Sequence, residues 1–255
     1  MSRLWAIAAN TFREAVRDRV LYSILFFGVG VIILSLALSE VTIGDQDKVV
    51  RSIAQGAIDV FASIITMFLG VSLVWKELEH RTIYTVISKP IPRWMFVLGK
   101  YLGLMLTLAV EVLIMLVVYV GLMLTQQGPP APVVFVSYGL LMAQLALLTA
   151  WATLFSSYSA PMTASAFTLA LFVIGHLADD IWVYGSQAVA PAVQAIARTL
   201  YWVLPNFEIL NIRPWAVHHR EVPWERIGPA LAYGASYTAA VLAAAAAVFS
   251  RRDIK

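Results

Sequence analysis

The sequence predicts an all-α integral membrane protein: six transmembrane helices, an N-terminal amphipathic interfacial helix, and short outer helices between spans 5 and 6. Three observations predict it. Hydrophobic residues make up 60% of the 255-residue chain and charged residues only 13%, against roughly 25% charged in soluble domains. Apolar runs recur at about the length that crosses a hydrocarbon core of ~30 Å. Lys and Arg concentrate on alternate connections. Residues 1–255 read as a single membrane domain. Cysteine is absent, which excludes a disulfide framework, a thiolate metal site and a cysteine nucleophile. Charges recur through Arg19 before the first long apolar run, so the N-terminus does not read as a cleavable signal peptide.

Residues 2–19 have helical apolar spacing at Trp5, Ala8, Ala9, Phe12, Ala15 and Val16, with Arg3, Asn10, Arg13, Glu14 and Arg17 on the other side. A helix with aromatic residues on one face and Arg on the other lies in the membrane interface. Spans are expected at about 20–38, 56–75, 98–125, 133–155, 161–177 and 228–249. The third apolar run begins near Trp94 and exceeds one bilayer, so its first turns, through Lys100, are expected outside the hydrocarbon. Between spans lie a polar loop at 40–55, a Gly/Pro turn at 126–132, a polar turn at 156–160, and a longer polar and aromatic segment at 179–227. Within that last segment, residues 187–204 read as an outer amphipathic or re-entrant helix. A seventh span there would put the basic C-terminal tail on the wrong side.

Charge sets the orientation. The N-terminal helix, the 76–100 stretch and the C-terminal tail hold twelve of the 18 Lys and Arg residues. The 40–55 and 179–227 connections hold the other six, against eight Asp and Glu. The first group is expected in the cytoplasm with both termini.

Residues 76–93 form the densest charged stretch between two membrane-length runs: Lys76, Glu77, Glu79, His80, Arg81, Lys89 and Arg93. Ile83, Val86 and Ile87 fall at i, i+3, i+4 and give a short helix one apolar ridge. Thr82 can cap its start, and Pro90 and Pro92 forbid its continuation. Such a helix can drop its ridge into a groove on a partner, with Glu77, Glu79 and Arg81 fixing register. The local pattern is equally consistent with positive-inside charge and interfacial packing. No G-x-x-x-x-G-K-[ST] loop is present, since Gly99-Lys100 is followed by Tyr101. ATP hydrolysis is therefore not expected in this chain.

The run Glu79-His80-Arg81-Thr82-Ile83, then Ile87-Ser88-Lys89-Pro90-Ile91-Pro92-Arg93, then Gly99-Lys100, resembles the loop after the second span of ABC-2-type ABC transporter permeases. Those chains show E-x-G-T-[IL], a hydrophobic patch, P-[IV]-x-R and G-K. The ending Phe249-Ser250-Arg251-Arg252-Asp253 resembles their F-x-x-R-[DE] close. Arg81 stands where Gly is usual, a departure that bears on the tight backbone turn there. The layout is similar to that of the NosY subfamily of copper-site maturation permeases. The resemblance implies a non-enzymatic half-transporter, exporting, in a bacterial inner membrane. Its coupling segment (Glu77, Glu79, His80, Arg81, Thr82, Ile83, Val86, Ile87, Lys89 and Pro90) would dock on a separate nucleotide-binding ATPase. Two ATPase subunits and a second permease chain, identical or different, would complete the assembly. ATP and Mg would sit on the ATPase, no cofactor on this chain, and lipid would be the remaining partner, with no nucleic acid.

Two acids fall within spans. Glu111 lies 11 residues past Lys100, ~16 Å along a helix and so near mid-membrane. Asp59 lies about one turn inside the outer end of the second span. An intramembrane acid faces protein or a water-filled cavity. Glu111 thus marks either the translocation path or permease interface, or a structural hydrogen bond to a neighbouring Ser or Thr. His176 with Asp179 and Asp180, and His218-His219 with Glu221 and Glu225, raise a metal or hydrolase alternative. No H-E-x-x-H or G-x-S-x-G motif supports it, so neither a catalytic residue nor a metal ligand is assigned. Trp182, Trp202, Trp215 and Trp224 read as an interfacial aromatic belt. An intramembrane enzyme or an ion-coupled secondary transporter remains the alternative, though no paired broken helices of an internal repeat are visible.

Overall fold

The computed structural model describes residues 3–41, 44–79, 92–126, 128–188, 190–218 and 220–251, with backbone alone for 72–79 and 251. The described residues are helical throughout, without strands. In chain order they form α1 (Arg3–Val16), α2 (Arg19–Glu40), α3 (Gln46–Glu79), α4 (Arg93–Gln126), α5 (Pro132–Tyr158), α6 (Pro161–His176), α7 (Ala178–Ser186), α8 (Pro191–Val203), a 3-10 turn (Glu208–Leu210), α9 (Arg213–Val217) and α10 (Trp224–Arg251).

Among the described residues, five helices are long and apolar enough to cross a bilayer: α2, α3, α4, α5 and α10. The pair α6 and α7, bent by 57° at their junction, makes a sixth if counted as one span. α6 alone has 16 residues, ~24 Å at 1.5 Å per residue, short of a ~30 Å core. The stretch expected as a span at 161–177 is therefore bent at its end, as in a broken span or a re-entrant turn. Leu177 ends α6 with a backbone angle pair outside the helical range, and the chain resumes as α7 in a new direction.

Other boundaries move for identifiable reasons. The 40–55 stretch reads as a loop because it is polar, yet α3 begins at Gln46. Arg51 and Gln55 are buried there at 8% and 3% exposure, because they face the rest of the bundle. α10 begins at Trp224, four residues before the expected start, and carries Pro229 inside its early turns. The expected helix over 187–204 is a 13-residue one, ~20 Å long and too short to span. It folds back on α7 with the Trp182 and Tyr201 rings 4.9 Å apart. Trp202 at 77% and Trp224 at 70% exposure project outward.

α3, α4 and α5 form the centre. α2 packs on α3 and α4 along one side, and α10 on α5 and α4 along the other. The shared core joins Ile58, Ala62 and Ile65 of α3 to Leu104, Leu108 and Met115 of α4 and Leu140 and Leu145 of α5. α1, Arg93 and the end of α10 gather at one end of the bundle, called the base below. The 204–218 segment covers the far end.

α1 does not lie free in the interface. Gly99 and Gly103 on α4 let it approach until a Cβ at Gly103 would stand 2.5 Å from Thr11 Cβ and 2.6 Å from the Ala8 carbonyl oxygen. The buried seam is Ala8, Thr11 and Ala15. Trp5, from the predicted apolar face, is left 46% exposed. Lys100, 2% exposed, has its Nζ 3.7 Å from Glu14 of α1, a pairing that a buried ammonium requires.

Gly103→Ala forces that seam apart and is expected to cost about 1–3 kcal/mol. The thermal midpoint of detergent-purified protein should fall by several degrees. Gly121→Ala, where nothing lies within 4 Å, should leave it unchanged or slightly raised.

Candidate functional site

Two regions carry polar chemistry: the base, where α3 ends at Glu79 and α4 begins at Arg93, and a polar layer near the far end.

At the base, α3 runs on through Glu79, so Lys76, Glu77 and Glu79 belong to its last turns rather than to a separate loop. His80 to Pro90, and with them the expected short helix over Thr82–Pro90, lie outside the described residues. The chain resumes at Pro92, whose carbonyl accepts from Met95 N at 3.0 Å and starts α4. Arg93 then reaches across to the end of α10. Its Nη1 donates to the Ser250 carbonyl at 2.8 Å and to that of Phe249 at 3.5 Å. One turn on, the Phe96 ring stacks on Phe249 at 5.7 Å and 17° between planes. Val97 and Ala245 close the cluster. The two sequence motifs that end in Pro92-Arg93 and begin at Phe249 are thus one contact, 156 residues apart in the chain.

Near the far end, α3 sets Arg51, Gln55 and Asp59 at i, i+4, i+8, on one face of the helix. Gln55 Nε2 donates to the Tyr119 hydroxyl of α4 at 2.9 Å. Asp59, with 16% of its side chain exposed, has Arg213 Nη1 at 3.5 Å from Oδ2. Its Oδ1 accepts from Gln144 Nε2 of α5 at 3.2 Å. The same amide nitrogen stands 3.4 Å from His176 Nε2, while His176 Nδ1 lies 2.9 Å from the Phe172 carbonyl. A carbonyl can only accept, so Nδ1 carries the proton and Nε2 receives the amide. Gln144 therefore ties a carboxylate on α3 to an imidazole on α6. The ring nitrogens face an amide and a carbonyl, not a nucleophile, so the arrangement holds helices together rather than activating an attacking group.

The segment above this layer is built on the same economy. Asn206 donates to Asp179 at 2.7 Å and accepts from Glu208 N at 2.9 Å. Asn211 donates to both Glu208 oxygens at 3.3 and 3.1 Å and accepts from Arg213 N at 3.1 Å. Phe207, fully buried, donates its N–H to the Gly175 carbonyl at 3.0 Å, a group freed by the break after His176. This ladder delivers Arg213 to Asp59. Gln55, Asp59, Tyr138, Gln144 and Arg213 line a small cavity there. A larger one, about 520 Å³, opens beside Asp179, Glu208, Trp215, Glu225 and Tyr233.

Of the two predicted intramembrane acids, Asp59 joins this layer and Glu111 does not. Glu111 is 2% exposed, and neither carboxyl oxygen has a hydrogen-bond partner among the described residues. Among those residues no group of three or more His, Cys, Asp or Glu could hold a metal ion. Sequence reasoning missed Gln55, Tyr119, Gln144 and Arg213. The i, i+4, i+8 spacing of Arg51, Gln55 and Asp59 was the available signal, hidden because two of the three fall in a stretch that reads as loop.

Magnitudes rank these contacts. The Arg213–Asp59 pair is long and 38% of the Arg213 side chain is exposed, so its coupling should stay below ~1 kcal/mol. Gln144 is 2% exposed. Gln144→Leu removes the shared donor from the partly buried acceptors of Asp59 and His176, and should cost about 1–2 kcal/mol. Thermal unfolding should therefore show Gln144→Leu as more damaging than Arg213→Gln.

Burial raises the Glu208 carboxyl above its ordinary value of 4.5, with the Asn211 amide opposing the shift. A carboxyl raised in the folded state holds its proton more tightly folded than unfolded. Its stabilising contribution is present below the ordinary carboxylate range and is lost as pH rises through the raised value. Glu208→Gln should therefore gain stability relative to the parent as pH rises above the ordinary carboxylate range, read as a growing difference in thermal midpoint.

No curated protein matches the chain. A family description does. The model of the ABC-2 family transporter protein matches residues 5–254, from α1 through the last residues after α10. With an all-helical bundle of five to six candidate spans and the motif pair joined at its base, the chain belongs to the ABC-2 family of transporter proteins.

Proposed function

We propose that this chain is the permease subunit of an ABC exporter, driven by two separate ATPase subunits and paired with a second permease chain, identical or different. Residues 76–93 are the ATPase dock, with the base in the cytoplasm, both termini with it, and the whole in a bacterial inner membrane. ATP and Mg bind the ATPases.

The observation that carries this reading is the geometry on either side of the 80–91 segment. α3 and α4 each have 34 residues, ~51 Å against a ~30 Å core. Both reach the base, so a force applied to the intervening segment meets two central helices directly. Three further facts support it. No phosphate-binding loop occurs in the sequence, and Gly99-Lys100 is built into α4 against α1. In the sequence, twelve of 18 Lys and Arg residues lie in the N-terminal helix, the 76–100 stretch and the C-terminal tail, as the cytoplasmic side demands. The 178–223 segment is made of short helices, too small to dock a separate binding protein, which favours export. ATP closure of the partners would then shift the population between two arrangements of the spans, provided ATP binds one of them better.

Expressed with its ATPase, the chain should co-purify as a complex that hydrolyses ATP and moves cargo. Glu79→Arg combined with Ile83→Asp should abolish the complex. Absence of a complex with the parent, together with transport that survives the double variant, would sink the reading.

A further inference from the structure

Arg93 is poorly placed for its own helix. It is the first residue of α4, whose first turn contains no acid, and a cation at a helix N-terminus opposes the macrodipole. It is well placed for α10. The last carbonyls of a helix have no partner within it and form the negative end of its dipole. Arg93 Nη1 satisfies two of them, at Ser250 and Phe249. The Phe96–Phe249 stack and the buried Val97 and Ala245 hold the two helix ends in register. Phe249 is 5% exposed, so the contact is packed as well as charged. Pro92 immediately precedes Arg93, and its φ is fixed by the ring.

We infer that Arg93 is a positioning residue that fastens the last span to the exit of the coupling segment, so that displacement of that segment moves α10 together with α4. α4 is continuous with the segment and needs no such device. α10 is 156 residues away in the chain, and its end meets the start of α4 at Arg93, Phe96 and Val97. Of the five long helices α10 is the least buried, 17% of its apolar window against 44% for α4. Its outward face, which includes Ala239, Ala240, Ala243 and Ala244, is thereby carried by the motor. The inference rests on the ATPase-coupling reading above.

The chain has no cysteine, so single introduced ones are unique labelling sites. Phe26→Cys on α2 and Ala243→Cys on α10, both exposed, would carry spin labels in the reconstituted permease–ATPase complex. Their distance would be measured without nucleotide and with ATP plus vanadate. The parent complex should show a nucleotide-dependent shift. Among Arg93→Ala complexes that retain the bound ATPase, the shift should fall to half or less. Arg93→Lys, which still donates a charged hydrogen bond, should restore most of the shift, and Arg93→Gln less. Phe249→Leu, which removes the ring stack and leaves Arg93 in place, should reduce the shift in part, and serves if Arg93→Ala does not fold. A full shift in Arg93→Ala, or in both Arg93→Gln and Phe249→Leu, overturns the clamp and leaves ATPase coupling standing. A parent that binds no ATPase overturns the coupling reading and the clamp with it.

Discussion

Hydrocarbon offers no hydrogen bonds, so each polar group inside this bundle must find a partner within it or move to an edge. Short side chains meet the constraint locally. Thr66 donates to the Ala62 carbonyl at 2.8 Å, Thr149 to Leu145 at 2.6 Å, Thr153 to Thr149 at 2.8 Å and Thr168 to Ala164 at 2.7 Å. Each bond closes on the preceding turn and leaves the helix surface apolar. Longer side chains cannot close on themselves in this way, and they are collected at the two ends. Asp59, Gln144, His176 and Arg213 form the layer at the far end; Lys100 with Glu14, and Arg93 with the α10 carbonyls, belong to the base. Glu111 is buried between them with neither oxygen partnered among the described residues, and the Tyr138 hydroxyl and Trp151 Nε1 are likewise buried without a partner there.

The same constraint governs where the helices break. Ending α6 at His176 frees backbone carbonyls, a cost that hydrocarbon would leave unmet unless protein covers them. Phe207 supplies that cover. Its N–H bonds Gly175, and its ring packs so closely that a Cβ at Gly175 would stand 2.5 Å from Phe207 Cδ2. The ladder from Asn206 to Arg213 then carries the chain across the far end, with both Asn side-chain amides bonded. The two ends are consequently different materials. The far end is held by directional amide and carboxylate bonds among α3, α4, α5, α6, α7 and the 204–218 segment. The base is held by ring stacking, a glycine seam and charge on a helix terminus.

How far the sequence was readable depended on whether the partner of a residue is near it in the chain. Apolar run length located α2, α4, α5 and α10 to within a few residues, because a bilayer imposes that length on each run separately. Arg51 and Gln55 misled, because polar residues read as loop unless their buried partner is known, and that of Gln55 is Tyr119, 64 residues on. Asp59 was recognised as an acid inside a span, but its partners on α5 and in the 204–218 segment left no local trace. The Pro92-Arg93 and Phe249 motifs were both noticed, and nothing in their spacing said that they touch. Trp5 and Phe12 gave α1 its interfacial character, whereas the seam it uses is the small-residue one at Ala8, Thr11 and Ala15.

By itself the sequence determined that this is a helical membrane protein, roughly where its spans lie, which connections carry the positive charge, and that it lacks a phosphate-binding loop of its own. These follow from composition, run length and local pattern, which the bilayer reads one helix at a time. Tertiary structure alone decided that α1 docks on α4, that the fifth span is bent, that Asp59 is tied through Gln144 to His176, and that Arg93 caps the last helix. Each of those depends on two elements distant in the chain approaching within a few ångströms. Only side-chain fit between packed helices fixes which pairs do so.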